Sequence, residues 1–247
     1  MNTTAHFPQV SNVPEVSRAQ MLEVDRLMIE DYQISLVQMM ENAGRALALV
    51  AKDIFLDGNA SGARIAVLTG SGGNGGGALT AARRLANWGA KIELGMARAS
   101  EDLTNVPKQQ FTILSEIAAP REFEPDGLPD CDLIIDGLIG YSLNGAPRGK
   151  SADFIQAANA KGTPILSLDV PSGYDAQAGL ALFPAVCASA TLTLALPKTG
   201  MLKAGNAKNV GQLFCADISV PPKLYASMHL PAQAGEIFLQ NDIVRLS

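Results

Sequence analysis

Two kinds of periodicity divide the chain. In the first fifty or so residues the apolar positions recur at helical spacing: Met21, Val24, Leu27 and Met28 form one stripe, and Val37, Met40, Leu47 and Val50 another. Each stripe follows a Ser and a Gln three residues apart, Ser17 with Gln20 and Ser35 with Gln38. That is the spacing of a capping box, in which each side chain satisfies the other residue's backbone N–H. Two amphipathic helices are predicted there, with their methionines as core filler. From residue 64 the pattern changes. RIAVLT (64–69), KIELGMA (91–97), DLIIDGLI (132–139), PILSLDV (164–170), ATLTLAL (190–196) and GQLFCADI (211–218) read as strands, and 78–89 and stretches near 106–118 and 151–160 as helices. Continuous Val/Ile/Leu runs separated by helices predict an α/β fold whose mostly parallel sheet is covered on both faces. No internal repeat and no Pro/Gly/Ser-rich linker divides the chain, so one domain over 1–247 is expected.

Composition narrows the function. Apolar residues make up 47% and charged ones 17%, enough for a large core. With 19 basic against 24 acidic residues the net charge is −5, which excludes nucleic-acid binding through bulk positive charge. Three scattered cysteines, Cys131, Cys187 and Cys215, make neither a disulfide framework nor a zinc site and suit a reducing compartment. The first residues lack a basic start followed by an apolar block, so no signal peptide is read there. Residues 176–197 carry no charge, but Gly179, Pro184 and the alternation Thr191 to Leu194 break them into a short segment plus a buried strand rather than a membrane span. A cytoplasmic protein without membrane contact is expected. The histidines, His6 and His229, lie near the ends, which leaves a carboxylate as the group for proton transfer.

In parallel sheets ligands bind beyond the carboxyl ends of the strands. Here those ends are polar or glycine-rich: GSGGNGGG (70–77), then DGLIGYSLNG, DVPSG and PKTG. In the first, glycines let backbone N–H groups approach an anion, and a helix from Ala78 would aim its positive end at it. Gly70, Gly72 and Gly75 also satisfy G-x-G-x-x-G, with Glu93 in place of a ribose-binding acid, the pattern of an NAD-dependent dehydrogenase. A run this rich in glycine matches many patterns, however, and no Lys follows it as a nucleotide-triphosphate loop requires. Asp136 and Asp169 each end an apolar run, where a carboxylate is hydrogen-bonded, ion-paired or bound to a cation. With Asn74 and Ser172 they form an oxygen-rich set suited to a hard cation.

Six ordered blocks, QMMENAG (38–44), the glycine run, DLIIDGLIGYSLNG (132–145), SLDVPSGYDAQAG (167–179), LPKTG (196–200) and DISVPPKLY (217–225), carry a wider likeness. Over about Val16 to Tyr225 the chain resembles the YjeF N-terminal domain family, whose enzymatic members are NAD(P)H-hydrate epimerases. The resemblance implies a Rossmann-like three-layer α/β/α sandwich with two N-terminal helices, a core over 16–225 flanked by N- and C-terminal extensions, and a homodimer. It implies interconversion of the R and S forms of the hydrated cofactors NADHX and NADPHX, with a separate dehydratase consuming the S form. It further implies a potassium ion held by Asn74, Asp136 and Ser172. The hydrate would lie along Gly73, Asn74, Gly75, Gly76 and Gly77, along Gly140, Tyr141, Ser142, Leu143, Asn144, Gly145 and Ala146, and against Asp169 as the proton-handling group. Three positions depart from the family's loop: Gly73 stands where it has Asn, Gly77 where it has Asp, and Ala78 where it has its last Gly. The missing carboxylate at 77 keeps a second reading open, a non-catalytic member that binds a nucleotide or scaffolds a protein partner. The dehydrogenase is a third.

Overall fold

The computed structural model describes residues 7–203, 205 and 207–247. Both predicted helices are present, α1 (Arg18–Glu30) and α2 (Leu36–Val50), and each begins with its capping box formed in both directions. A nine-stranded sheet follows, made of β1 (Gln9–Val10), β2 (Arg64–Thr69), β3 (Lys91–Met96), β4 (Arg121–Phe123), β5 (Leu133–Gly137), β6 (Ile165–Leu168), β9 (Ala190–Leu194), β10 (Gln212–Ala216) and β11 (Ile243–Leu246). A separate hairpin pairs β7 (Tyr174–Asp175) with β8 (Leu180–Ala181). The order in the sheet is β1-β11-β10-β9-β6-β5-β2-β3-β4, parallel throughout except where β11 runs against β10. The architecture is Rossmann-like. The chain moves outward from β2 to β3 and β4, then returns to β5 on the other side, so the strand order reverses between β2 and β5. A crevice opens at the carboxyl ends of such a pair.

Side chains alternate across the sheet as strand geometry requires. Ile65 and Val67 of β2, with Leu133 and Ile135 of β5, meet Leu47, Leu79 and Leu85 of α2 and α3 (Gly73–Asn87). Ala66, Leu68 and Ile134 point the other way, onto Phe154 and Ile155 of α5 (Gly149–Lys161); α4 (Asn105–Ala118) precedes that helix, and α6 (Ala207–Val210) follows β9. A third cluster joins α1 and α7 (Pro222–Ser227) to Leu213, Cys215 and Val244, and to Val170, Ala195 and Leu196 just past the strands. The uncharged stretch 176–197 holds β8, a connecting loop and β9. No helix among the described residues is long and apolar enough to cross a membrane.

The largest departure from expectation is the glycine run. The sequence predicts a loop there with a helix from Ala78; α3 instead starts at Gly73. The reason is packing. A Cβ on Gly75 would lie 1.9 Å from the carbonyl oxygen of Gly70, and one on Gly76 would lie 2.5 Å from Met40 Sδ. The glycines therefore let α3 seat its first turns against the end of β2 and against α2. Gly73 meets nothing nearer than Met40 Cε at 3.9 Å. Gly75→Ala should lose about 3 kcal/mol or more in denaturant unfolding, since backbone must move to admit the methyl group. Gly73→Ala should be neutral or slightly stabilising.

Candidate functional site

A cavity of about 480 Å³ opens over the carboxyl ends of β2, β5 and β6. Its floor is the strand ends themselves, and its outer wall is α1 and the start of α2. Ser71, Gly72, Gly73 and Asn74 line one side, Ile139 to Ser142 another, and Asp169, Lys198, Asp25 and three methionines close it. Gly72 caps α3 without a side-chain hydrogen bond, so the first N–H groups of a fifteen-residue helix face this space with its positive dipole end.

Asp169 follows β6 directly and adopts a left-handed backbone conformation, φ 65°, which is strained for a residue with a side chain. Ala195 repeats the kink just after the neighbouring β9, with φ 64°. Both turns are held by ladder bonds, Asp169 N–H to Leu192 O at 2.7 Å and Ala195 N–H to Ala216 O at 2.9 Å. The Asp169 side chain is 3% exposed. Its Oδ1 accepts from the Lys198 ammonium, from the Leu194 N–H at 3.3 Å and from Thr193 Oγ1 at 3.5 Å. Oδ2 takes no donor among the described residues. Lys198 is equally buried, and its remaining protons go to Thr193 Oγ1 at 3.2 Å and Leu194 O at 2.9 Å. Its loop is bound to the segment before α1 by Val16 N–H to Pro197 O and Thr199 N–H to Val16 O, both 2.9 Å. The ammonium lies 5.8 Å from the centre of the Tyr141 ring. The Tyr141 hydroxyl donates to Asp25 Oδ2 on α1. Burial raises the Asp25 carboxyl above its ordinary range, partly offset by that hydrogen bond and by Lys198.

Asp136 and Ser172 sit beneath the cavity floor, both 0% exposed. Each Asp136 oxygen accepts twice: Oδ1 from Ser172 Oγ at 2.6 Å and Leu138 N–H at 3.2 Å, Oδ2 from Ser167 Oγ at 2.8 Å and Ser172 N–H at 2.9 Å. No cationic side chain pairs with it among the described residues. Burial consequently pushes its carboxyl up, against the pull of those four donors. Ser172 Oγ also accepts from the Ile139 N–H at 2.8 Å. Asn74 donates Nδ2 to Leu168 O at 2.7 Å, while its Oδ1 accepts no hydrogen bond among the described residues and lies where a Cβ on Gly140 would stand 2.5 Å away. An unpartnered amide oxygen together with carboxylate and hydroxyl oxygens at adjoining strand ends is a donor chemistry that fits a hard cation.

Asn74, Asp136, Asp169 and Ser172 thus converge at one rim of the sheet, as the sequence led us to expect. Gly73, Asn74, Gly140, Tyr141, Ser142 and Asp169 line the cavity. Gly75, Gly76 and Gly77 are buried within α3, away from it, and a Cβ on Gly77 would meet Leu168 Cδ2 at 2.6 Å. Leucine thus fills the space where the resembled loop has a carboxylate. Leu143, Asn144, Gly145 and Ala146 run out along the rim, where the Arg18 guanidinium holds the Ser142 and Leu143 carbonyls at 3.2 and 3.1 Å. Glu93 lies inside β3 and pairs with Arg64 and Arg121, so it is not a ribose-binding acid at a strand end. His229 is exposed in a terminal segment, and His6 lies outside the described residues.

Sequence reasoning missed two cavity groups. Asp25 lies four residues after Met21 and three before Met28, so an acid interrupts the apolar face of α1. Lys198 lies in LPKTG (196–200), past a strand end, where a buried cation answers a buried acid.

The model of the family described as YjeF-related protein N-terminus matches residues 36–200. The chain belongs to this family. An NAD(P)H-hydrate epimerase of Dehalogenimonas lykanthroporepellens is 44% identical over 92% of this chain and 90% of its own length. A bifunctional NAD(P)H-hydrate repair enzyme, Nnr, of Moorella thermoacetica is 31% identical over 87% of this chain, which spans 42% of that longer protein. Among solved structures, yeast ynu0 (YNL200c) superposes with a TM-score of 0.78, covering 95% of this chain and all of the yeast chain at 22% identity. That likeness shows a shared fold.

The buried ion pair gives a direct test. Lys198→Met should cost about 3–5 kcal/mol in equilibrium unfolding, because it strands a desolvated carboxylate. Adding Asp169→Asn to that variant should recover a large part of the loss, which a double-mutant cycle measures.

Proposed function

We propose that this chain interconverts the R and S forms of hydrated nicotinamide dinucleotides, NADHX or NADPHX. The observation that carries the reading is the pairing, in one cavity, of an uncapped helix N-terminus with a buried Asp–Lys pair about a strained strand end. The first suits the pyrophosphate, through backbone N–H groups and dipole. The second suits the ring, because Asp169 lines the cavity with one oxygen tied to Lys198 and the other without a donor among the described residues. The epimeric centre, C6, bears a hydroxyl next to the ring nitrogen. Inverting it requires loss of that hydroxyl and return of water to the other face, and Asp169 is assigned the proton traffic at that oxygen. The Met21, Met39 and Met40 side chains exclude bulk water from the ring and adapt to either epimer.

Asn74, Asp136 and Ser172 would hold a potassium ion. When bound, the ion would neutralise the Asp136 charge and add positive potential beside the phosphate-facing end of α3. The relatives' names, NAD(P)H-hydrate epimerase and NAD(P)H-hydrate repair enzyme, support a role in repair of the hydrated cofactors, and a separate dehydratase would consume the S form. A homodimer and a cytoplasmic setting complete the reading.

Asp169→Asn should lower the rate of R/S interconversion of purified NADHX by roughly 10²–10⁴-fold. Wild-type turnover by that variant would remove Asp169 from its role, and tight nucleotide binding without turnover in the wild-type chain would favour the non-catalytic alternative. Replacing choline chloride by potassium chloride at equal ionic strength should raise the melting temperature of the wild-type protein. The Asp136→Asn variant should show no such rise.

A further inference from the structure

We propose that Asp25, on α1, is a second catalytic carboxylate that serves the face of the ring opposite Asp169. The inference rests on the epimerase reading above and deepens it.

An epimerisation that detaches a hydroxyl from one face and returns water to the other has a symmetry requirement. Whatever group gives a proton to the departing oxygen on one face must have a counterpart on the other face that takes a proton from the incoming water. Asp169 rises from the sheet end. Asp25 stands on the helix that forms the outer wall, and both line the same cavity. Their hydrogen bonding is alike in one respect. Each carboxylate has one oxygen tied to the protein, Asp169 by Lys198 and Asp25 by the Tyr141 hydroxyl, and one oxygen with no donor among the described residues. They differ in charge environment. Asp169 holds a buried ammonium, whereas Asp25 has no cation within ion-pair distance among the described residues and is partly desolvated. Paired carboxyl groups in unlike surroundings divide into a proton donor and a proton acceptor. Tyr141 couples them: it donates to Asp25 and places its ring below the Lys198 ammonium. The acid on an otherwise apolar helix face has no structural partner beyond that tyrosine.

The step balances without any co-reactant but water. For one epimer, protonated Asp25 gives its proton to the C6 hydroxyl, the C6–O bond breaks, water departs, and the lone pair of N1 forms the N1=C6 double bond. Water then adds to C6 from the other face, the double-bond pair returns to N1, and the proton lost by that water passes to Asp169. The opposite epimer runs the sequence in reverse.

The test follows both epimers of purified NADHX in heavy-oxygen water, measuring R/S interconversion and exchange of the C6 oxygen with solvent. Asp25→Asn, which keeps the shape and the acceptor for Tyr141, should slow interconversion about 100-fold. One epimer, the one whose hydroxyl faces Asp169, should still exchange its oxygen near the wild-type rate, and Asp25→Glu should recover part of the interconversion. Should Asp25→Asn not fold, Asp25→Ser is subjected to the same two measurements. Interconversion at the wild-type rate in these variants would overturn the proposal, as would an equal fall of exchange and interconversion for both epimers, which marks a merely structural role. A wild-type chain that fails to interconvert the epimers would overturn the epimerase reading itself, and this inference with it.

Discussion

Burying one negative and one positive charge side by side is the constraint around which this molecule is arranged. Asp169 and Lys198 are almost wholly removed from water, and each is tolerable only because the other is there. Bringing them together takes three separate pieces of backbone. The left-handed turn after β6 aims the carboxylate, the matching kink after β9 presents Thr193 and Leu194, and the segment around Val16 pins the lysine loop. Loss of any of the three would leave a charge without its counterpart, so a local feature of the cavity is also a condition of global stability. The same requirement explains why a residue with a side chain is kept where glycine would be easier.

A second constraint is distance of approach. The glycines of α3 bring its helix backbone against strand ends and against Met40, and this lets the unsatisfied N–H groups of its first turn reach the cavity. A bulkier helix start would stand off from the sheet and leave Asn74 short of the Leu168 carbonyl. Packing and anion affinity thus come from the same residues.

The strands, their parallel order and the rim at which chemistry gathers were legible because hydrophobic runs and capping residues act locally: Ser17 with Gln20, or RIAVLT at 64–69, need no distant partner to be recognised. Three things were not legible. The helical state of 73–77 depends on contacts with Gly70, Met40 and Leu168, which sequence order does not reveal. Asp25 and Lys198 acquire meaning only through Tyr141 and Asp169, far away in the chain. The edge strand β1 and its neighbour β11 are too short for a two-residue period to register: β1 is held by β11, and β11 by β10. Asp136 was read correctly as a strand-end acid, but its complete enclosure by four donors lies beyond anything a motif encodes.

That edge pairing has a consequence for how the chain can be handled. β11 joins the sheet through β10, and the register of Gln9 with Arg245 and Val10 with Leu246 stitches the beginning of the described chain to its end. Trimming or tagging close to either end would pull at the same seam. A version shortened through β11 would expose the hydrogen-bonding margin of β10, a five-residue strand with four buried residues, and such a margin is adhesive toward other chains. Clumping on truncation would then report an opened border of the sheet rather than damage to the cavity at its far rim.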